Sequence, residues 1–373
     1  MKVVISAAGT GGHINPGIAI ANKIMEKEPN SEILFIGTNR GLENDLVPRA
    51  GYKLKHIEAY GLKKEISIKN ITQIIKTLNS SKDAKRILQD FKPDIVIGTG
   101  GYICGPVFSA ATKLKIPMLL HESNAYPGKA VKMFSKKVDE VLVGFEDAKE
   151  KLPNAKKVVV TGTPTKIRKI DVSSRRKNEI LRELGIKNFL PIVLIFGGSQ
   201  GAQAINKAVE DLIMKKLNKD YQIIWATGTK QFDLIKGDFE SKGLNINAFQ
   251  NVKMIPYIYN MEEMMNISDL MVCRSGAMTI TEIAIVEKPA IFIPLPSMSA
   301  NRQEDNARVL EKLGAARIIL NNELNSEILA KEINSVIKDE DLLFDMGEKA
   351  AKIAPSNVEE KIYDEIKKVL KDR

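Results

Sequence analysis

Three glycine-rich turns, each directly after a short apolar run, constrain this chain more than any other feature. They are Gly9-Thr10-Gly11-Gly12-His13, Gly98-Thr99-Gly100-Gly101-Tyr102 and Gly197-Gly198-Ser199-Gln200-Gly201. The apolar runs have the length and β-branched character of buried strands, so each turn reads as the exit of a strand into a helix. Backbone without a Cβ can approach an anion closely. A helix that begins there aims free N–H groups and the positive end of its dipole at that anion. The third turn opens what reads as a second half of the chain, so phosphate handling is expected between two domains.

At 373 residues the chain is too long for one ordinary hydrophobic core and suits two. A formal charge of +10, from 56 Lys+Arg against 46 Asp+Glu, favours anionic partners. Nucleic acid is not expected among them, because aromatic residues are sparse and no zinc-finger, zipper or RNA-platform pattern is present. Cys104 and Cys273 lie far apart inside apolar runs, which fits a reduced, cytosolic protein. The start, Met1 to Ala8, reads as a short strand without a cleavage site, and no apolar stretch has the length to span a bilayer. The expectation is a protein neither secreted nor integral to a membrane.

Strand-like runs at 3–5, 33–36, 94–97, 118–120, 141–143 and 158–160 alternate with amphipathic segments. The pattern restarts at 192–196, 223–225, 252–255, 270–272, 291–293 and 318–320. Buried runs separated by helical patterns imply parallel sheets covered on both faces. The fold class is therefore α/β, with two Rossmann-like, doubly wound domains and a cleft between them. The expected boundaries are 1–163 for an N-terminal domain, 164–190 for a polar, basic connection and 191–373 for a C-terminal domain. The helical tail from Ser326 is compatible with capping either one.

The first turn lacks both the G-x-G-x-x-G spacing of a dinucleotide site and the Gly-Lys-Ser/Thr of a Walker loop. His13 stands where a helix begins beside that turn. It is a candidate base for a hydroxyl proton, or a residue that shapes the turn by a local hydrogen bond. His121 ends a buried run and suits a structural role, and His56 reads as a surface residue. Three scattered histidines and two cysteines offer no metal-ligand spacing. Asp339-Glu340-Asp341 reads as a solvated charge run, so no metal and no cofactor are expected. Arg274-Ser275-Gly276-Ala277-Met278-Thr279-Ile280-Thr281-Glu282 leaves a strand and enters a helix, which suits a diphosphate with Glu282 accepting from ribose hydroxyls, or Glu282 merely complementing the helix dipole. Gln303 and Asn306, one helical turn apart, are candidates to read sugar hydroxyls. Gly128 to Val138 reads as a basic amphipathic helix, either a solvated face or a membrane contact.

Taken in this order and spacing, these motifs resemble the MurG glycosyltransferases over nearly the whole chain. Thr99-Gly100-Gly101-Tyr102 with Gly105-Pro106, His121-Glu122-Ser123-Asn124 and Gln303 to Asn306 belong to the same pattern. The resemblance implies a GT-B fold and a metal-independent, inverting transfer of N-acetylglucosamine from its UDP donor to a lipid-linked muramyl-pentapeptide. It also implies a peripheral enzyme on the cytoplasmic face of an acidic membrane. By position, Ser199 beside Gly198 would meet the diphosphate, Ala277 to Glu282 the phosphate and ribose, Ile258 the uracil and Gln303 the sugar. Thr10, Gly11, Gly12 and Asn124 would complete the site from the N-terminal side. His13 is the candidate base and Glu122 the alternative. Where the family often carries Arg after an inter-domain Gly-Asn-Pro, this chain has Lys166 and then Arg168 after Gly162-Thr163-Pro164. A UDP-sugar epimerase and a glycolipid glucosyltransferase are alternatives on the same fold.

Overall fold

The β-branched runs become strands, and every strand pairs parallel with its neighbours. The computed structural model describes residues 1–60, 68–186, 190–198, 201–296 and 303–371. The first sheet contains β1 (Lys2–Ser6), β2 (Glu32–Gly37), β3 (Lys53–His56), β4 (Ile95–Gly98), β5 (Met118–Glu122), β6 (Glu140–Val143) and β7 (Val158–Val160). Its spatial order is β3-β2-β1-β4-β5-β6-β7. The second contains β8 (Ile192–Phe196), β9 (Gln222–Ala226), β10 (Val252–Ile255), β11 (Leu270–Cys273), β12 (Ala290–Phe292) and β13 (Ala316–Ile318). It runs β10-β9-β8-β11-β12-β13. Both are doubly wound sheets whose order reverses beside their first strand.

Two strands depart from the apolar pattern. The sequence Lys53-Leu54-Lys55-His56 carries no apolar run, yet it forms β3, because an edge strand is solvated and lysines there block further pairing. The last strand was expected at 318–320 and instead spans Ala316–Ile318, where Ala316 pairs with Ala290 in β12.

The chain divides into one unit of Met1–Lys166 with Pro355–Arg373 and another of Ile167–Ala354. Within the stretch expected as a connection, Ser174–Glu183 is a helix of the second unit, capped by Ser173 Oγ accepting from the Arg176 N–H. The helical tail is shared between the units. Ser326–Ile337 and Glu340–Ala351 belong to the second, and Val358–Lys371 belongs to the first. Asp339, in the acidic run, caps Glu340–Ala351 by accepting from the Leu342 N–H at 2.9 Å.

The final helix is placed by its apolar spacing. Val358, Ile362, Ile366 and Val369 are buried and join Val3, Ile5, Ile95 and Ile97 in one core. Its polar edge is bonded to the helix Gly11–Lys27 and the loop after it, through Tyr363 Oη at 2.9 Å and Lys367 Nζ at 2.7 Å from Glu28. The Lys367 hydrogen bond draws the Glu28 carboxyl down to about 2. Lys157 lies between Glu140 at 2.6 Å and Glu365 at 2.8 Å on the same face.

His121 is fully buried on β5, with Nε2 donating to the Gly162 carbonyl at 3.0 Å. Gly162 has φ +87°, and a Cβ on it would meet Pro355 and Val358, so the segment before the final helix closes over this bond. Burial pushes the His121 imidazole down to about 4, against an ordinary 6.5. The unfolded chain therefore binds a proton between these values that the folded chain refuses. This contribution is complete above pH 6.5 and is lost as pH falls toward 4, and it is worth on the order of 3 kcal/mol. Urea unfolding should show stability falling through that window, and His121→Gln, which keeps a donor toward Gly162, should flatten the fall. An equally steep pH dependence in the variant would assign it to other groups.

Candidate active site

The first sheet reverses its order between β1 and β4, with Ser6 beside Gly98. Both strands end there in a glycine turn, and the open crevice beyond such a reversal is where ligands bind in doubly wound sheets. His13, the third residue of the helix Gly11–Lys27, crosses from the first turn to the second. Its Nδ1 lies 3.0 Å from the Thr99 carbonyl oxygen, and Thr99 Oγ1 donates to the His13 carbonyl at 2.6 Å. A carbonyl only accepts, so Nδ1 is the donor here, and the tautomer that makes this bond leaves its lone pair on Nε2. Gly100 and Gly101 take φ of +95° and +82°, and a Cβ on Gly100 would stand 2.9 Å from His13 Nδ1. Thr10 at the helix N-cap is extended and exposed, and its hydroxyl makes no capping bond, so Gly11 and Gly12 begin a helix end without a side-chain cap.

The other candidate base is differently placed. Glu122, 4 % exposed at the end of β5, accepts from Asn124 N at 2.9 Å, Asn124 Nδ2 at 2.8 Å and Gly128 N at 2.6 Å. Three donors converge on this carboxylate and shape the loop 123–128, which makes it a scaffold for Asn124.

In the second unit the reversal falls between β8 and β11, with Phe196 beside Cys273. Gly198 (φ +89°) and Gly201 (φ +76°) close the turn after β8, with Gly201 N donating to the Gly198 carbonyl at 2.9 Å. Ser199 and Gln200, within this turn, lie outside the described residues. Beside it, Gly276 is the N-cap of the helix Ala277–Ile285 and supplies no side chain, so the N–H groups at Ala277, Met278 and Thr279 form an uncapped anion-seeking end. Ile280 and Thr281 are buried, and Thr281 Oγ1 donates back to the Ala277 carbonyl, which gives both a packing role within this helix. Glu282 is half-buried and near enough to Cys273 to help raise its buried thiol.

Gln303 and Asn306 meet this loop from the helix Gln303–Lys312. Ser275 Oγ donates to the Gln303 carbonyl at 2.8 Å, and Asn306 Nδ2 donates to the Ser275 carbonyl at 3.3 Å. Asn306 is 0 % exposed and ties the loop from below through this bond. Gln303 is half-buried, and its Oε1 accepts from Leu295 N at 2.9 Å. Arg274, unassigned by sequence reasoning, donates to the carbonyls of Ile293 and Pro294 at 2.9 and 3.1 Å and to Asn321 Oδ1 at 2.8 Å. It thereby ties the exit of β12 to that of β11. Ile258, between β10 and the helix Met261–Ile267, buries its side chain and leaves its backbone beside the exposed Tyr257 and Tyr259. Lys166 and Arg168 are both exposed, with the Arg168 guanidinium donating to the Ile167 carbonyl at 3.0 Å.

Two parallel-sheet α/β domains in tandem, with glycine turns and uncapped helix ends at both strand-order reversals, are the architecture of the GT-B fold, which many sugar-nucleotide glycosyltransferases use. Residues 3–143 match the glycosyltransferase family 28 N-terminal domain, and residues 192–363 match the family 28 C-terminal domain. A relative in Acetivibrio thermocellus, a UDP-N-acetylglucosamine–N-acetylmuramyl-(pentapeptide) pyrophosphoryl-undecaprenol N-acetylglucosamine transferase, is 44% identical over 100% of this chain and 99% of its own. Its counterpart of the same name in Ruminiclostridium cellulolyticum is 43% identical over 99% of this chain and 100% of its own. The crystal structure of Acinetobacter baumannii MurG has 27% sequence identity and superposes with a TM-score of 0.74, covering 98% of this chain and 99% of that one. The chain belongs to this MurG family of glycosyltransferases.

The His13–Thr99 contact requires the bare backbone of the second turn. Gly100→Ala should lower the unfolding free energy by about 1–3 kcal/mol, from the positive φ and the collision with the ring. It should also shift the His13 imidazole resonances in an NMR spectrum. An unshifted ring would mean that the turn does not hold His13.

Proposed function

We propose that the chain transfers N-acetylglucosamine from UDP-N-acetylglucosamine to undecaprenyl-pyrophosphoryl-muramyl-pentapeptide, lipid I, making lipid II for peptidoglycan. The observation that carries this reading is the 44% identity along the whole chain to a transferase of that name. Solved UDP-N-acetylglucosamine 2-epimerases share the fold at only 15–16% identity, which carries no activity over to this chain.

The second unit holds the donor. The uncapped N–H groups at Ala277 to Thr279 meet the diphosphate together with Ser199, Glu282 accepts from the ribose hydroxyls, the Ile258 backbone meets uracil, and Gln303 faces the sugar. In the first unit His13 is the base, with Thr10, Gly11, Gly12 and Asn124 lining its side. The acceptor hydroxyl oxygen attacks the anomeric carbon as the bond to the β-phosphate oxygen breaks, and configuration inverts. His13 Nε2 takes the hydroxyl proton, and the negative charge gathering on the departing UDP is met by the helix end. The fixed Nδ1–H tautomer supports His13 over Glu122, whose oxygens already accept three N–H bonds. The uncapped helix end can meet the leaving charge without a cation.

We place the protein peripherally on the cytoplasmic face of the membrane. In the helix Lys129–Phe134, Val131 and Phe134 are buried while Lys129, Lys132 and Met133 face solvent, with Met133 54% exposed. Lys136 extends the exposed basic face. An apolar side chain flanked by lysines suits an anionic lipid surface. No helix among the described residues is long and apolar enough to cross a membrane.

Transfer of labelled sugar to the lipid-linked acceptor should proceed in excess EDTA, and His13→Ala should slow it by about 10²–10⁴-fold with UDP affinity by calorimetry nearly unchanged. Near-normal turnover by that variant would remove His13 as base. Association with vesicles containing acidic lipid should weaken as salt rises, and weaken further in the double variant Lys132→Glu/Lys136→Glu. Binding indifferent to both would reject the basic helix as the contact.

A further inference from the structure

Glu43 has no part in the chemistry above, yet it is the most completely buried carboxylate beside the first glycine turn, at 0 % exposure. It opens the short helix Glu43–Arg49 after β2. Its Oε2 accepts from the Gly9 N–H at 2.9 Å, and its Oε1 accepts from the Thr38 N–H at 2.9 Å and the Thr38 hydroxyl at 2.7 Å. The neighbouring Leu42 N–H donates to the Gly9 carbonyl at 3.3 Å, so both polar groups of Gly9 are held from one short segment. Gly9 takes φ +95°, and it is the residue at which the chain leaves the line of β1 toward Thr10 and His13.

The surroundings are fitted to this carboxylate. A Cβ on Gly37 would stand 2.8 Å from Glu43 Cγ, and one on Gly41 would overlap the carboxylate itself. Two glycines outside the three turns thus leave space for one acid. A buried carboxylate is costly unless its lone pairs are met, and here three donors from two separate segments meet them. Glutamine of the same shape would keep an oxygen for Thr38 but set an N–H₂ group against the Gly9 N–H, donor against donor.

We propose that Glu43 is a positioning residue for the transfer reaction: its carboxylate fixes Gly9 and through it the turn that sets His13 against Thr99. The inference rests on the reading of His13 as the base. Its effect belongs chiefly to turnover, because Ala277 to Thr279, Glu282 and Gln303, which hold the donor, all lie in the second unit, while Thr10 to Gly12 beside Gly9 only complete the site.

The test compares Glu43→Gln with Val47→Ala, a buried position one turn further along the same helix that removes packing without touching Gly9. Each is assayed well below its own melting temperature, alone and combined with His13→Ala. Glu43→Gln should lower kcat about 10–100-fold while the KM for UDP-N-acetylglucosamine and UDP affinity stay within about twofold, and Val47→Ala should lower the melting temperature with kcat within about twofold. In the His13→Ala background Glu43→Gln should cost less than about threefold more. Equal loss of kcat in Glu43→Gln and Val47→Ala would make Glu43 a packing residue only, and a full additional loss without His13 would show that it does not act through that ring. Normal turnover by His13→Ala would instead overturn the reading of the base, whereas normal turnover by Glu43→Gln beside an impaired His13→Ala overturns this inference alone.

Discussion

The parallel pairing of β1 with β4, residue by residue from Val3 beside Ile95 to Ser6 beside Gly98, is the constraint on which the first half of the site depends. It is a non-local contact made across about ninety residues of intervening chain, and it leaves two glycine turns side by side at the carboxyl edge of the sheet. Only then can the Thr99 carbonyl meet His13 and select its tautomer. The pairing of β8 with β11 does the same in the second unit, setting the turn at Gly198–Gly201 beside the uncapped start of Ala277–Ile285. Reversal of strand order opens the crevice, and glycine lets backbone occupy its walls.

Loops at such edges have no ladder to hold them, and in this protein buried polar side chains take that role. Glu43 holds the first turn, Glu122 the loop before Lys129–Phe134, and Asn306 with Arg274 the segment entering Ala277–Ile285. Glu43 and Arg274 each bond to groups in two other segments, Asn306 donates to the Ser275 carbonyl, and Glu122 takes three N–H bonds from the loop that follows it. A satisfied buried bond contributes on the order of 1 kcal/mol, but leaving one partner unmet costs more than that, so these networks fix geometry more than they add stability. The same logic explains His121, a neutral buried ring whose bond to Gly162 is sealed by the approach to the final helix.

Much of the fold was legible because a strand buried on both faces needs an unbroken apolar run. Val3-Val4-Ile5 and Ile192 to Phe196 declare themselves without any knowledge of their neighbours. β3 did not, since an edge strand has no such requirement and Lys53 and Lys55 face solvent. The final helix showed its apolar stripe in the sequence, but a stripe does not say which core it covers.

The candidate site divides along the same line. Glycine turns after strands, the histidine beside one of them and the small-residue entry to Ala277–Ile285 are local features, dictated by backbone sterics, and the sequence determined them alone. Which carboxylate is a scaffold and which residue faces a ligand is not local. Glu122 and Asn306 look like surface chemistry in a string of letters, and folding buries both, Asn306 against the Ser275 carbonyl from another segment and Glu122 beneath the N–H groups of the loop that follows it. Glu43 gave no signal at all, since its meaning lies in Gly9, thirty-four positions away in the chain and 2.9 Å away in space. Hydrogen-bond partners are assigned by tertiary proximity, and no periodicity in the sequence encodes them.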